Sequence, residues 1–494
     1  MNANRLPVNH ATTLTRIVAT VGPASVRPAV VEGMLRAGVS LVRLNLSHSD
    51  PATHAKTLRT IRTVAEKLRM QTGVLADLPG PKLRLRSTGE GATIALRHGE
   101  HVRFVDSPAP IDPTARPVTL HADYPKFVQE VRVGDRVLID DGAVQLRVVR
   151  RRKGALECVC EVGGTISGRK GINLPETALS LRAPTPRDHT LADWAVRHGA
   201  DFVALSFVQG PEDIRRLRRT LERSARACRG RVPRIVAKIE RPVALTQLGA
   251  IAAECDAMMV ARGDLAIELD YARVPVEQLH INLACERAAI PCIVATQMLQ
   301  SMMEAPLPTR AEASDVANSV FGGADAVMLS GETAAGRHPV AAVDAMRRIA
   351  LEAESWIARQ PPRPVQAREL FESGDAAVIL ARSIAQLATD GGARAIVAWT
   401  DARSLRFISQ TDVRVPIFAF GDHEPELRSL SLLRGVRAIC VKRPIDTRDF
   451  VRTAERLLRG MGALKNGDRL VVATGFAGKG TERLWVRDAG AKTV

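Results

Sequence analysis

The chain has 494 residues, of which 70 are Lys or Arg and 53 are Asp or Glu, giving a formal net charge of +17. Apolar residues at 46% and charged residues at 25% exclude wholesale disorder, and no apolar run is long enough to span a membrane. Aromatics at 3% are too few for a base-stacking platform, so specific nucleic-acid binding is not expected; the Arg excess, spread along the chain, reads as a solvated surface or an affinity for small phosphorylated anions.

After a tail at 1–14, short apolar runs alternate with longer helical patterns. The runs are RIVATVG (16–22), SLVRLNLS (40–47), GVLADLPG (73–80), DFVALSF (201–207), RIVAKIE (234–240), DAMMVARGD (256–264), PCIVATQM (291–298) and DAVMLSGE (325–332). Helix-like stretches such as 27–38, 51–69, 211–226, 275–288 and 310–324 lie between them. Continuous apolar strands alternating with helices indicate a parallel sheet covered on both faces, and eight such units give an α/β fold of the (β/α)₈ type. The barrel is expected over 15–84 and 183–358.

The gap between the third and fourth runs carries period-2 alternation at 92–105, 135–150 and 155–166, with Gly-containing turns. A small β-rich domain is expected at 85–182, inserted at the end of strand three, where barrel enzymes keep their chemistry; a lid follows from that position. A proline-rich linker (359–368) leads to a C-terminal α/β unit over 365–494. Seven cysteines without metal-type spacing, and an opening MNANRLPVNH lacking the apolar run of a signal peptide, give the expectation of a reducing, cytoplasmic location.

Each barrel strand ends in polar residues aimed at a common mouth: Arg43, Asn45 and Ser47; Asp77; Ser206; Lys238 and Glu240; Arg262 and Asp264; Thr296; Ser330 and Glu332. Lys238 and Glu240 share one face of an extended strand, as either a partly buried ion pair or part of a site with Asp264. Two carboxylates beside one Lys suit Mg²⁺ completed by substrate oxygens. The ARGD segment (261–264) reads as a carboxylate cradle or as a turn in which Asp264 caps a helix; Thr296 reads as a cap or as a proton shuttle. Arg43 and Arg84 are candidate phosphate clamps.

These residues stand in RIVATVGPAS (16–25), RLNLSH (43–48), GRKGINLP (168–175), KIE (238–240), MMVARGDLAIE (259–268), ATQML (295–299) and PTRAEASDVANSVFGGADAVMLSGETAAGRHP (308–339), and over nearly its full length the chain resembles pyruvate kinase. The resemblance implies phosphoryl transfer from phosphoenolpyruvate to ADP, giving pyruvate and ATP, in a homotetramer. It implies that Glu240 and Asp264 ligate Mg²⁺, for which Mn²⁺ can substitute. Lys238 would stabilise the transferring group and the enolate, Arg43 would contact the phosphate, and the backbone of Ala261, Arg262 and Gly263 would hold the carboxylate. Thr296 would serve C3 protonation, Ser206 would line the substrate site, and Asn45, Ser47, His48, Arg84 and Lys170 match nucleotide- or phosphate-side positions.

Departures from the family pattern carry their own expectations. The family's DTKGPEIR or DLKGPEIR is DLPGPKLR here (77–84), with Lys82 where potassium-dependent members carry Glu. In those members the positions of Asn45, Ser47, Asp77 and the carbonyl of Leu78 would hold K⁺; an ammonium at Lys82 would supply that charge, so K⁺ is not expected to be required. Pro79 replaces a Lys, and Arg241 replaces the usual Asn. The sugar-phosphate loop is reduced to TDARSLR (400–406), leaving Thr400, Arg403, Ser404 and Lys479 as effector candidates or as inter-subunit packing. A barrel lyase using Mg²⁺ and an enolate is the alternative enzyme class, but it needs neither a lid nor nucleotide-side basic residues. A regulatory protein that has lost catalysis would show gaps among Lys238, Glu240, Asp264 and Thr296, all of which are present.

Overall fold

The computed structural model describes residues 13–89, 92–177, 179–361, 375–399, 401–475 and 483–490. All eight apolar runs form strands: Arg16–Thr20, Val39–Asn45, Gly73–Leu78, Phe202–Leu205, Arg234–Ile239, Ala257–Ala261, Cys292–Ala295 and Ala326–Leu329. Each pairs in parallel with its sequence neighbour, and the first closes on the eighth. The runs are continuously apolar because both faces are buried. Val18, Leu41, Leu75, Phe202, Val236 and Met259 fill the interior, while the alternate residues Ile17, Val42, Val74, Val203, Ile235 and Val260 pack against the helices.

The third strand pairs directly with the fourth, Leu75 opposite Phe202 and Leu78 opposite Leu205, so the insertion leaves the barrel wall unbroken. The inserted sheet has seven strands around a core containing Phe104, Phe127, Leu146 and Leu156. Its outgoing and returning crossings pair with each other, Leu83 with Ile172 and Arg84 with Gly171. Residues 83 and 84 therefore already belong to the lid sheet, two residues before the expected boundary. At the base of the lid, Gly80 takes φ +65°, and a Cβ there would approach the Ser206 carbonyl to 2.8 Å, so only glycine fits. The Gly80 N–H donates to Asp188, which with Thr185 forms the capping box of helix Pro186–Arg197. That helix begins where the chain re-enters the barrel.

The C-terminal sheet runs Val436–Cys440, Ile417–Gly421, Ala395–Trp399, Arg469–Thr474 and Arg483–Asp488. The first four strands are parallel; the last is an antiparallel edge that the sequence reading did not single out. Residues 376–390, ahead of the first of these strands in sequence, form helix Ala376–Asp390, which ends at Gly391. The tail to residue 12 and most of the linker lie outside the described residues. Among the described residues no helix is long and apolar enough to cross a membrane.

The C-terminal unit docks on the barrel base through buried polar contacts. Asp201, just before the fourth strand, pairs with Arg62 and Arg428 at 2.6 and 3.1 Å. Asp325, just before the eighth, accepts from the Cys292 N–H and from the Gln410 side chain, both at 2.8 Å. Burial pushes the Asp325 carboxyl up to about 7. An unfolded-chain Asp ionises near pH ~4, so the folded chain holds the extra proton between about 4 and 7, and the associated stability is lost as pH rises through that window. Asp325→Asn should flatten this slope: urea midpoints of variant and wild type should diverge in the variant's favour between about pH 4 and pH 8.

Candidate active site

The strand-end residues meet at the C-terminal mouth. Arg43 Nε lies 2.7 Å from Asp77 Oδ2, and its Nη1 donates to the Thr20 hydroxyl at 3.0 Å. Lys238 Nζ stands 2.9 Å from Glu240 Oε1 and 3.4 Å from Asp77 Oδ1, and donates to Ser206 Oγ at 2.7 Å. Ser206 in turn donates to the Leu78 carbonyl. The second oxygen of Glu240 accepts the Phe207 N–H at 2.6 Å, with Phe207 at φ +57°. The ion-pair alternative for Lys238 is thus present: the ammonium is a buried counter-ion to Asp77 and Glu240 at the mouth.

Burial opposes charge on all three of these groups, and their neighbours decide the outcome. At Asp77 the Lys238 and Arg43 charges outweigh burial and hold the carboxyl below its ordinary range. Lys238 is likewise desolvated, yet Asp77 and Glu240 raise it above the usual lysine range. Glu240 goes the other way: burial lifts its carboxyl, Lys238 only partly offsets this, and the nearby Asp264 lifts it further. Glu240 is therefore under-compensated and faces a second carboxylate, which fits a divalent cation between the two. Among the described residues no cluster of three or more His, Cys, Asp or Glu side chains is arranged to hold a metal. An ion there would draw its other ligands from substrate and water.

Helix Arg262–Glu268 starts at the end of the sixth strand with Ala261 as N-cap and no side-chain cap. Asp264 is its third residue, so the capping alternative for Asp264 is set aside. Gly263 N–H donates to Thr296 Oγ1 at 2.7 Å. Thr296 therefore holds a neighbouring helix start and does not cap the short helix Gln300–Met303 that follows it. Thr296 and Gln297 take φ +71° and +53°, a conformation costly for a β-branched residue. Arg262 pins this turn by donating to the Thr296 carbonyl and pairing with Asp315 at 2.7 Å. Lys82 Nζ lies 3.3 Å from Asp264 Oδ1. A cavity of ≈ 600 Å³ opens between lid and barrel, lined by Lys82, Arg136, Asp141, Gly263, Asp264 and Gln297 among others.

Residues 12–343 match the family profile described as pyruvate kinase, barrel domain, and residues 363–484 match pyruvate kinase, alpha/beta domain. The chain belongs to the pyruvate kinase family. It is similar to pyruvate kinase 2 of Synechocystis sp., 36% identical over 465 residues, covering 93% of this chain and 76% of that protein. It is 35% identical over 466 residues to the pyruvate kinase of Thermococcus litoralis, covering 93% and 95%. The pyruvate kinase of Mycobacterium tuberculosis is 38% identical over 466 residues, covering 93% and 94%. The chain is accordingly a phosphotransferase.

Not every candidate position joins the pyruvate kinase cluster. Arg84 donates to the Arg169 carbonyl, Lys170 pairs with Asp140 at 2.8 Å, and both sit in the lid. The Asn45 side chain accepts the Ser47 N–H, and the His48 carbonyl bonds the His54 ring. At the effector position Arg403 pairs with Asp375, and Ser404 N–H donates to the helix cap Asp401 at 2.9 Å. Thr400 and Lys479 lie outside the described residues. Sequence reasoning gave Asp77 only a strand-end or K⁺ role and missed it as the shared counter-ion of Arg43 and Lys238; its place at the end of a wholly buried strand was the available signal. Asp77→Asn leaves two buried cations under-compensated. It should lower stability by about 3–5 kcal/mol, read as the denaturant midpoint, and reduce turnover even where the protein remains folded.

Proposed function

We propose that the protein transfers the phosphoryl group of phosphoenolpyruvate to ADP, forming pyruvate and ATP. The observation carrying this reading is the Lys238 ammonium held between Asp77 and Glu240, with Asp264 opposite, at the mouth of a lidded barrel. Glu240 and Asp264 would hold Mg²⁺, or Mn²⁺ in its place, and the ion, when bound, neutralises charge on the phosphoryl and enolate oxygens. Arg43, oriented by Asp77 and Thr20, presents its remaining donors to the phosphate. Lys238 faces the transferring group and then the enolate oxygen, where its fixed charge counts most in a water-poor site.

The backbone at the start of helix Arg262–Glu268, where the Gly263 N–H already donates to Thr296, would orient the substrate carboxylate, with Ser206 on the adjacent wall. Thr296, held by Gly263, would relay a proton through water to C3 of the enolate. Asn45, Ser47, His48, Arg84 and Lys170 would meet the nucleotide phosphates as the lid closes and excludes water. A cytoplasmic homotetramer, and a sugar phosphate near Arg403 and Ser404, complete the proposal.

Activity without K⁺ belongs to the same reading. The Lys82 ammonium already stands at Asp264, Arg43 occupies Asp77, and Ser206 occupies the Leu78 carbonyl. Three cations (Arg43, Lys82, Lys238) thus face three carboxylates (Asp77, Glu240, Asp264). A lactate-dehydrogenase-coupled assay in buffer free of K⁺ and NH₄⁺ should show the full rate, and Lys82→Glu should create a requirement for K⁺; near-total loss of wild-type rate there would defeat the reading. Lys238→Met should cut kcat at least about 10²–10³-fold while ADP still binds saturably. Wild-type turnover in that variant would remove Lys238 from the mechanism.

A further inference from the structure

Arg241, which stands where the family usually has Asn, directly follows Glu240 and occupies the N-cap of helix Pro242–Leu245. Its side chain turns back toward the site. The guanidinium lies over the Phe207 ring, 5.5 Å from the centroid, and its Nε is buried without a hydrogen-bond partner. Phe207 is the residue whose N–H holds Glu240 Oε2. Its left-handed backbone is unfavourable for a bulky aromatic and persists only if its surroundings impose it. A planar cation against the ring does so from one side. Gly80 also lies close to the ring: a Cβ there would lie 3.0 Å from Phe207 Cδ2.

The charge of Arg241 also bears on a carboxylate bonded to the second lid crossing. Glu268, at the end of helix Arg262–Glu268, is buried and accepts from Asn173 Nδ2 at 3.0 Å. Burial raises the Glu268 carboxyl, and Arg241 is the leading charge that draws it back. Asn173 ends the strand Gly171–Asn173 that brings the chain home from the lid, and its Oδ1 is buried without a partner. Phe207 touches the outgoing crossing at Gly80.

We propose that Arg241 is a positioning residue: stacked on Phe207, it fixes the backbone N–H that orients Glu240. The inference rests on the reading of Glu240 as a metal ligand. Residues that orient a ligand typically contribute 10–100-fold to metal affinity.

Mn²⁺ binding to the full-length protein, measured by the free-ion electron paramagnetic resonance signal without substrates, tests it. Arg241→Ala should weaken Mn²⁺ binding about tenfold and raise the Mg²⁺ needed for half-maximal rate by a similar factor. Arg241→Lys keeps the charge toward Glu268 but not the flat face, and should restore only part of the loss. Phe207→Leu should reproduce the weakening with Arg241 in place, and the double variant should be no worse than the weaker single one. Wild-type Mn²⁺ affinity in Arg241→Ala, with or without a lower melting temperature, overturns the proposal, as does full additivity in the double variant. Glu240→Gln separates the two readings. If it binds Mn²⁺ like wild type, the metal assignment itself fails; if it loses the ion while Arg241→Ala keeps it, only the role of Arg241 fails.

Discussion

The ammonium of Lys238, shut between two carboxylates at the rim of a closed sheet, is the interaction on which the site depends. A buried lysine would ordinarily shed its proton. Asp77 and Glu240 prevent this, and Arg43 takes up what remains of the Asp77 charge. The barrel makes the arrangement affordable, because parallel strands in register bring Arg43, Asp77 and Lys238 to one rim without any loop having to order itself. Glu240 is left short of positive charge, and Asp264 deepens that shortage. A polyanionic substrate with a divalent ion is the natural complement of such a place.

The turns after the fourth and seventh strands carry the other constraint. Phe207, Thr296 and Gln297 all hold left-handed backbones at the mouth: Phe207 is tied to Glu240, Thr296 to the start of the helix bearing Asp264, and Gln297 lines the cavity wall. The strain is stored where donors must point inward, and Arg262 bridging to Asp315 keeps one of these turns from relaxing.

Much of this was legible in the chain. Continuous apolar runs such as RIVAT and AMMVA could only be strands buried on both faces, and their polar ends marked the mouth before any geometry was known. The lid was readable from the change of period between residues 92 and 166. What escaped is what depends on three-dimensional pairing. Arg483–Asp488 alternates too few apolar residues to stand out as an edge strand; its place comes from pairing with Arg469–Thr474. Asp264 and Thr296 could each be read as a cap or as a site residue, because local sequence cannot tell a residue that satisfies its own helix from one that serves a neighbour. Arg241 looked like a mere deviation, since a ring stack carries no spacing signal.

The short ribbon formed by Leu83–Arg84 and Gly171–Ile172 has a mechanical implication. Because both necks of the inserted sheet are hydrogen-bonded to each other, they form one stem held in one register and cannot slide independently. A single residue added to either neck would shift the alternation of that stem by one and turn Arg84 away from the side it now faces. A change in the size of this sheet is therefore accommodated more readily at its far tip than in the stem.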